Sequence, residues 1–200
     1  KGDFPLAVRG DANSVAFRGE GYGFMHQTIT GDFTLTGRIA SMPLTSKENG
    51  LWKSNWLGLS VLAKHPNPNV RLTDKGPYNS EISLFLTTEG KMKGGKDFPD
   101  LAGTNKSIAS FEGEHRWLRL VRRGRRYQSF TSADGNHWQL ADERFSSKAS
   151  KEVYAGVCFR SGPNKSRSLF EGSVDHLKIE ANASPEKREK PKKEDLNLKN

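Results

Sequence analysis

The feature that most constrains this chain is a recurrence of short alternating runs, each closed off by Gly, Asn, Pro or Asp. FTLTGRIASM, from Phe33, sets Phe33, Leu35 and Ile39 on one side of an extended backbone and Thr34, Thr36 and Arg38 on the other. Successive side chains of a strand point to opposite faces, so a period of two marks a half-buried strand. WLGLSVLAK from Trp56, EISLFLTTEG from Glu81, RWLRLVRRG from Arg116, RYQSFTSADG from Arg126, VYAGVCFRSG from Val153 and SLFEGSVDHLKIE from Ser168 have similar length and β-branched or aromatic content. No twelve-residue stretch sustains a helical period of 3.6. Strands that follow one another without helices between them pair antiparallel and stack face to face. The predicted fold class is therefore all-β, a two-sheet antiparallel sandwich.

Two hundred residues suffice for one domain with a core, and 34% hydrophobic content with a mean hydropathy of −0.74 suits a sandwich whose outer faces are wet. No run reaches the roughly 18 apolar residues of a membrane-spanning helix, so membrane insertion is not expected. The net charge of +9 raises the question of nucleic acid. Residues 181–200, ANASPEKREKPKKEDLNLKN, carry +2 of it, and the remaining excess is scattered along residues 1–180 rather than gathered on one face. Nucleic acid is not expected as a partner. Residues 1–180 are read as the folded domain, and residues 181–200 as a charged disordered tail or a linker toward further domains. Lys1 in place of a methionine points to a mature form or an excised fragment, and export to a secreted, periplasmic or cell-surface location is the expected setting. Cys158, within VYAGVCF, reads as a buried free thiol.

In order along the chain, GDFTLTGRI, WLGLSVLAK, WLRLVRRGRRYQSFTSADGNHW, VYAGVCFRSG and FEGSVDHLKIE form a familiar set. It resembles the bacterial DUF1349-type proteins of the concanavalin A-like (laminin-G-like) jelly-roll superfamily, over about Gly31 to Glu180. The resemblance implies a jelly roll with one sheet curved into a concave face. It also implies that this face and its rim loops hold carbohydrate, with calcium at a rim in some members. Where that family carries an AGLMxR strand, this chain has LGLSVLAK, so Ala63-Lys64 stands near the expected arginine.

Four arginines surround Gly124, and they are expected to flank a hairpin turn and discourage edge pairing rather than grip phosphate, since only Tyr127 offers a nearby aromatic. Ser132-Ala133-Asp134-Gly135-Asn136-His137-Trp138 resembles an Asp-box turn, with Gly135 free to take a positive φ and Trp138 expected to pack beneath. No paired-carboxylate strand motif, metal-spaced histidines, G-x-S-x-G or P-loop occurs, so no catalytic residues are assigned. A non-catalytic saccharide-binding or accessory module is the leading expectation; a glycoside hydrolase acting on the same face, or a protein–protein adhesion module, is the alternative. Exposed aromatics stack on sugar rings while Arg and Glu bond hydroxyls, which selects Arg38, Trp52, Trp56, Tyr78, Glu81, Arg119, Tyr154 and Arg160 as concave-face or rim residues. Trp52 and Trp56 serve equally as core plugs, and Arg38 with Glu81 as a cross-strand ion pair. A structural calcium would draw on Asp11, Asn13 and Asp175, if the chain termini meet at one rim. The long polar stretches from Leu44 to Trp56 and from Leu86 to Ser107 read either as binding loops or as disorder.

Overall fold

The computed structural model describes residues 7–9, 15–19, 21–42, 56–63, 80–87, 90, 92–95, 114–146, 150–161 and 170–181. Asp11, Asn13, Trp52 and Tyr78, most of both long polar stretches, and the expected tail beyond Ala181 lie outside the described residues.

The described chain is all strand and turn. In order it forms β1 (Ala7–Arg9), β2 (Val15–Gly19), β3 (Gly21–Thr30), β4 (Phe33–Ser41), β5 (Trp56–Ala63) and β6 (Ser80–Thr87). Then follow β7 (Met92–Gly95), β8 (Trp117–Arg123), β9 (Arg126–Ser132), β10 (Gln139–Phe145), β11 (Glu152–Ser161) and β12 (Phe170–Ala181). Seven strands make one antiparallel sheet, in the order β1-β2-β12-β4-β8-β9-β10, and five make the other, β3-β11-β5-β6-β7. The strand nearest the start of the chain thus joins the last strand through β2.

The alternation read from the sequence decides what lies between the sheets. Phe33, Leu35 and Ile39 of β4, Leu118 and Leu120 of β8, and Val174 of β12 face Leu57, Leu59 and Val61 of β5, Ile82, Leu84 and Leu86 of β6, and Val153, Ala155, Val157 and Phe159 of β11. All are buried, each contributing about 1.5–3 kcal/mol where a large aliphatic or aromatic side chain leaves water. Gly156 lets β3 approach β11, because a methyl there would run into the Met25 carbonyl oxygen and the His26 backbone.

β9 turns its hydroxyl-bearing residues inward. Tyr127, Ser129 and Thr131 are fully buried between the sheets, and Gln128 and Phe130 take the outer face. Tyr127 is therefore no exposed partner for the arginines. Burial pushes its phenol up to about 12, with Glu81 and Asp32 adding to the shift and Arg122 opposing it.

Candidate functional site

The outer face of the seven-stranded sheet carries Arg38, Arg119 and Asp175. Arg38 and Asp175 are cross-strand partners on β4 and β12, and the guanidinium meets the carboxylate through both oxygens, Nε to Oδ1 at 2.8 Å and Nη2 to Oδ2. That fork-on-fork geometry is strong for a charge pair, and it holds the Asp175 carboxyl below the usual carboxylate range. A bulge follows in β12, where the pairing with β4 shifts between Asp175 and Lys178 and His176 takes a φ of 48°. The His176 ring lies 5.0 Å from that of Trp117, and the Arg38 guanidinium lies over the same indole at 5.6 Å. Arg119 stacks 3.8 Å above Trp138 and donates to the Thr36 hydroxyl at 3.4 Å. The expected Arg38–Glu81 pair does not form, because the two residues belong to different sheets.

Arg122, Arg125 and Arg126 of the arginine-rich hairpin also have partners. Arg123 and Arg126 close a turn at Gly124-Arg125, with Gly124 at a φ of 58° and its N–H donating to Asp32 Oδ1 at 2.6 Å. Arg122 is buried and donates to the carbonyls of Gly124, Ser150 and Lys151; Arg126 pairs with Glu143, and Arg125 lies over Phe145. These arginines do not guard a sheet edge, as β8 and β9 both have neighbours on each side. In the Asp-box-like turn, the Ser132 hydroxyl donates to Asp134 and accepts from the Asp134 and Gly135 N–H groups. Asp134 Oδ1 accepts from Asn136 and His137, and Gly135 sits at a φ of 79°. The indole beneath the turn is Trp117 rather than Trp138: a methyl on Gly135 would approach Trp117 to 2.8 Å.

The outer face of the five-stranded sheet is different in kind. Trp56, Phe85 and Cys158 form a second buried cluster, separate from the main core, with Phe24 packed against it. Cys158 is fully buried; its thiol donates to the Gly58 carbonyl at 3.6 Å, and burial pushes its pKa up, which disfavours the thiolate. Beside the cluster, the fully buried Ser60 and Ser83 share a hydrogen bond at 2.7 Å across β5 and β6. Toward β3 the face opens. The His26 ring, exposed at the surface, lies 4.8 Å from Phe24 and 4.4 Å from Tyr154, so three rings form one stripe across β3 and β11. Partial burial lowers the His26 pKa, which favours the uncharged ring. Arg160 stands in register with Tyr22 on one side and Trp56 on the other.

Glu81 departs from the simple alternation that selected it. The β5–β6 register runs Ser60 to Ser83 and Val61 to Ile82, then shifts so that Leu62 meets Ser80. Glu81 is the extra residue at that shift. It is buried, and its charge acts on Tyr127 between the sheets. A bulge re-aims the side chains around it, and no sequence period announces one.

The structure thus divides the expected residues. Trp56, Tyr154 and Arg160 belong to the five-stranded sheet, Trp56 in the buried cluster and Tyr154 in the stripe, while Arg38, Arg119 and Asp175 belong to the other sheet. Neither Phe24 nor His26 stands among the residues selected from the sequence. GYGFMHQTIT has two early glycines and an exposed second half, so its strand character is faint.

No protein-family model matches the chain, and no curated protein matches it in sequence. Solved structures do. A functionally unknown protein from Saccharomyces cerevisiae matches at 15% identity with a TM-score of 0.54, over 91% of this chain and 95% of that one. Carbohydrate-binding module CBM66 from Bacillus subtilis matches at 13% identity and a TM-score of 0.50, over 88% of this chain and 92% of that one. The exoplasmic/lumenal domain of VIP36, in its Ca2+/Man-bound form, matches at 13% identity and a TM-score of 0.52, over 91% and 85%. At such identities the likeness concerns the fold, which is a concanavalin A-like jelly-roll sandwich.

Proposed function

We propose that this chain is a non-catalytic carbohydrate-binding or accessory module of the DUF1349 type, taking a saccharide on the outer face of the five-stranded sheet. The observation that carries the proposal is the stripe of Phe24, His26 and Tyr154, which is open at His26 and continues into a buried patch of Trp56, Phe85, Ser60 and Ser83. Flat rings suit the apolar faces of a sugar, and hydroxyls suit its rim. Two solved structures of this fold are named for sugar, a carbohydrate-binding module and a Man-bound domain, which adds to that support. An exported location fits the same ligand class. The DUF1349 assignment rests on the order and spacing of the sequence motifs.

Asp175 does not suit a calcium site, since both its carboxylate oxygens already accept from Arg38. Among the described residues no group of three His, Cys, Asp or Glu is placed to hold a metal. A structural calcium would therefore rest on Asp11, Asn13 and other oxygens. Melting with and without calcium tests it.

The proposal is tested by thermal-shift and calorimetric screening against a saccharide panel. Binding by at least one saccharide, weakened in Tyr154→Ala, supports it. Turnover of an aryl-glycoside by the unmodified chain would establish the hydrolase alternative instead. Silence in both assays would favour adhesion to protein.

A further inference from the structure

Between the sheets the core is mostly apolar, but along β9 it turns polar. The inner face of that strand carries Tyr127, Ser129 and Thr131, all fully buried. Thr131 has a partner, its hydroxyl lying 2.9 Å from Nδ1 of the buried His115. Among the described residues, the Tyr127 phenol and the Ser129 hydroxyl have none. Two buried ionic groups stand near them. The Arg122 guanidinium lies 5.7 Å from the centre of the Tyr127 ring, and Glu81 acts on the phenol through its charge. Arg122 donates to the carbonyls of Gly124, Ser150 and Lys151 rather than to either hydroxyl. A buried hydroxyl left unbonded bears its full desolvation cost, and native interiors rarely keep two on one strand face.

We propose that this part of the core is a closed solvent site, in which an ordered internal water bridges the Tyr127 and Ser129 hydroxyls and links them toward Glu81 on the opposite sheet. Positions two apart on a strand project to the same face, so both hydroxyls look into the same gap. Ser129 supplies the room. It pairs with the buried Leu120 of β8, and its side chain reaches far less than that leucine into the ~10 Å between stacked sheets. Interiors are close-packed, so a polar gap of this kind suits a water with about two to four polar partners. Burial selects the occupant. Tyr127 and Ser129 are 0% exposed, so nothing larger than water reaches them without opening the core. Glu81 influences the phenol without accepting a hydrogen bond from it, which leaves the bond to an intermediary. The site lies between the sheets and does not depend on what the outer face binds.

The test uses the full chain with Tyr127→Phe, Ser129→Ala and their combination. Oxygen-17 magnetic relaxation dispersion detects waters held inside a fold and does not respond to hydroxyl protons. The wild type should hold such a water that the double variant lacks. Denaturant unfolding supplies a second readout. Each single variant should raise the unfolding constant about five- to tenfold, because a hydrogen bond to the water is lost. The double variant should raise it by less than the product of the two, since both hydroxyls hold the same water. A dry pair behaves in the opposite way, because removing an unbonded hydroxyl leaves stability unchanged or improves it. The same held waters in wild type and double variant, or single variants at least as stable as the wild type, would each overturn the inference.

Discussion

The two outer faces of this sandwich use similar residue types to opposite ends. On the seven-stranded sheet, several arginines are matched: Arg38 with Asp175 and Trp117, Arg119 with Trp138 and Thr36, Arg126 with Glu143. On the five-stranded sheet, the aromatic rings touch one another, and the described stripe at His26 remains open to solvent. Charges that already have partners hold a surface in shape and leave little for a ligand. Rings and hydroxyls can take a partially apolar guest with less desolvation of charge than paired ions would require. The face proposed to bind is therefore not the one that looks richer in functional groups.

The comparison can be broken most severely at Gly156. Gly156→Val should cost at least about 3 kcal/mol, because the added side chain meets the Met25 backbone and forces β3 from β11. Chemical denaturation measures it, and a cost under 1 kcal/mol would mean that β3 is not held as described. Next comes the ligand. Tyr154→Ala should weaken saccharide binding roughly tenfold, or about 1.4 kcal/mol, while Arg38→Ala leaves affinity unchanged. Equal losses in calorimetry would erase the distinction between the faces.

Arg38→Ala should instead lower stability by about 1 kcal/mol, a modest figure because the pair is partly open, with 39% and 25% of its two side chains exposed. The same pair sets an acid limb. Arg38 holds Asp175 below its unfolded pKa, so the stability it contributes is present above the ordinary carboxylate pKa and lost as pH falls through the depressed folded value. Asp175→Asn should flatten that part of the stability–pH profile, read by denaturant midpoints at successive pH values. The smallest effect belongs to Phe145, 71% exposed on β10; Phe145→Ser should shift stability by no more than about 0.5 kcal/mol.

What could be read from the sequence follows the same division. Alternation located β4, β5, β6, β8, β9, β11 and β12, because burial on one face imprints a period of two. It missed β3 and β10, edge strands whose exposed residues carry little such imprint, and β1, β2 and β7, which are too short or too glycine-rich. The Asp-box-like turn was legible from Ser132, Asp134 and Gly135, but the choice of Trp117 over Trp138 beneath it depends on strand pairing that the sequence does not state. For the site, alternation sorted residues by face within a strand but could not tell which strands share a sheet. Arg38 and Glu81 were therefore grouped across the sandwich, and the bulge at Glu81 could not be seen. His26 entered the stripe only once β3 was paired with β11.

The most direct measurement is an amide chemical-shift titration with a saccharide found by screening. Perturbations concentrated on β3, β5 and β11, around Phe24, His26, Trp56 and Tyr154, are the expected result. Perturbations gathered instead around Arg38, Trp117, Arg119 and Trp138 would contradict the assignment of structural and binding roles to the two faces.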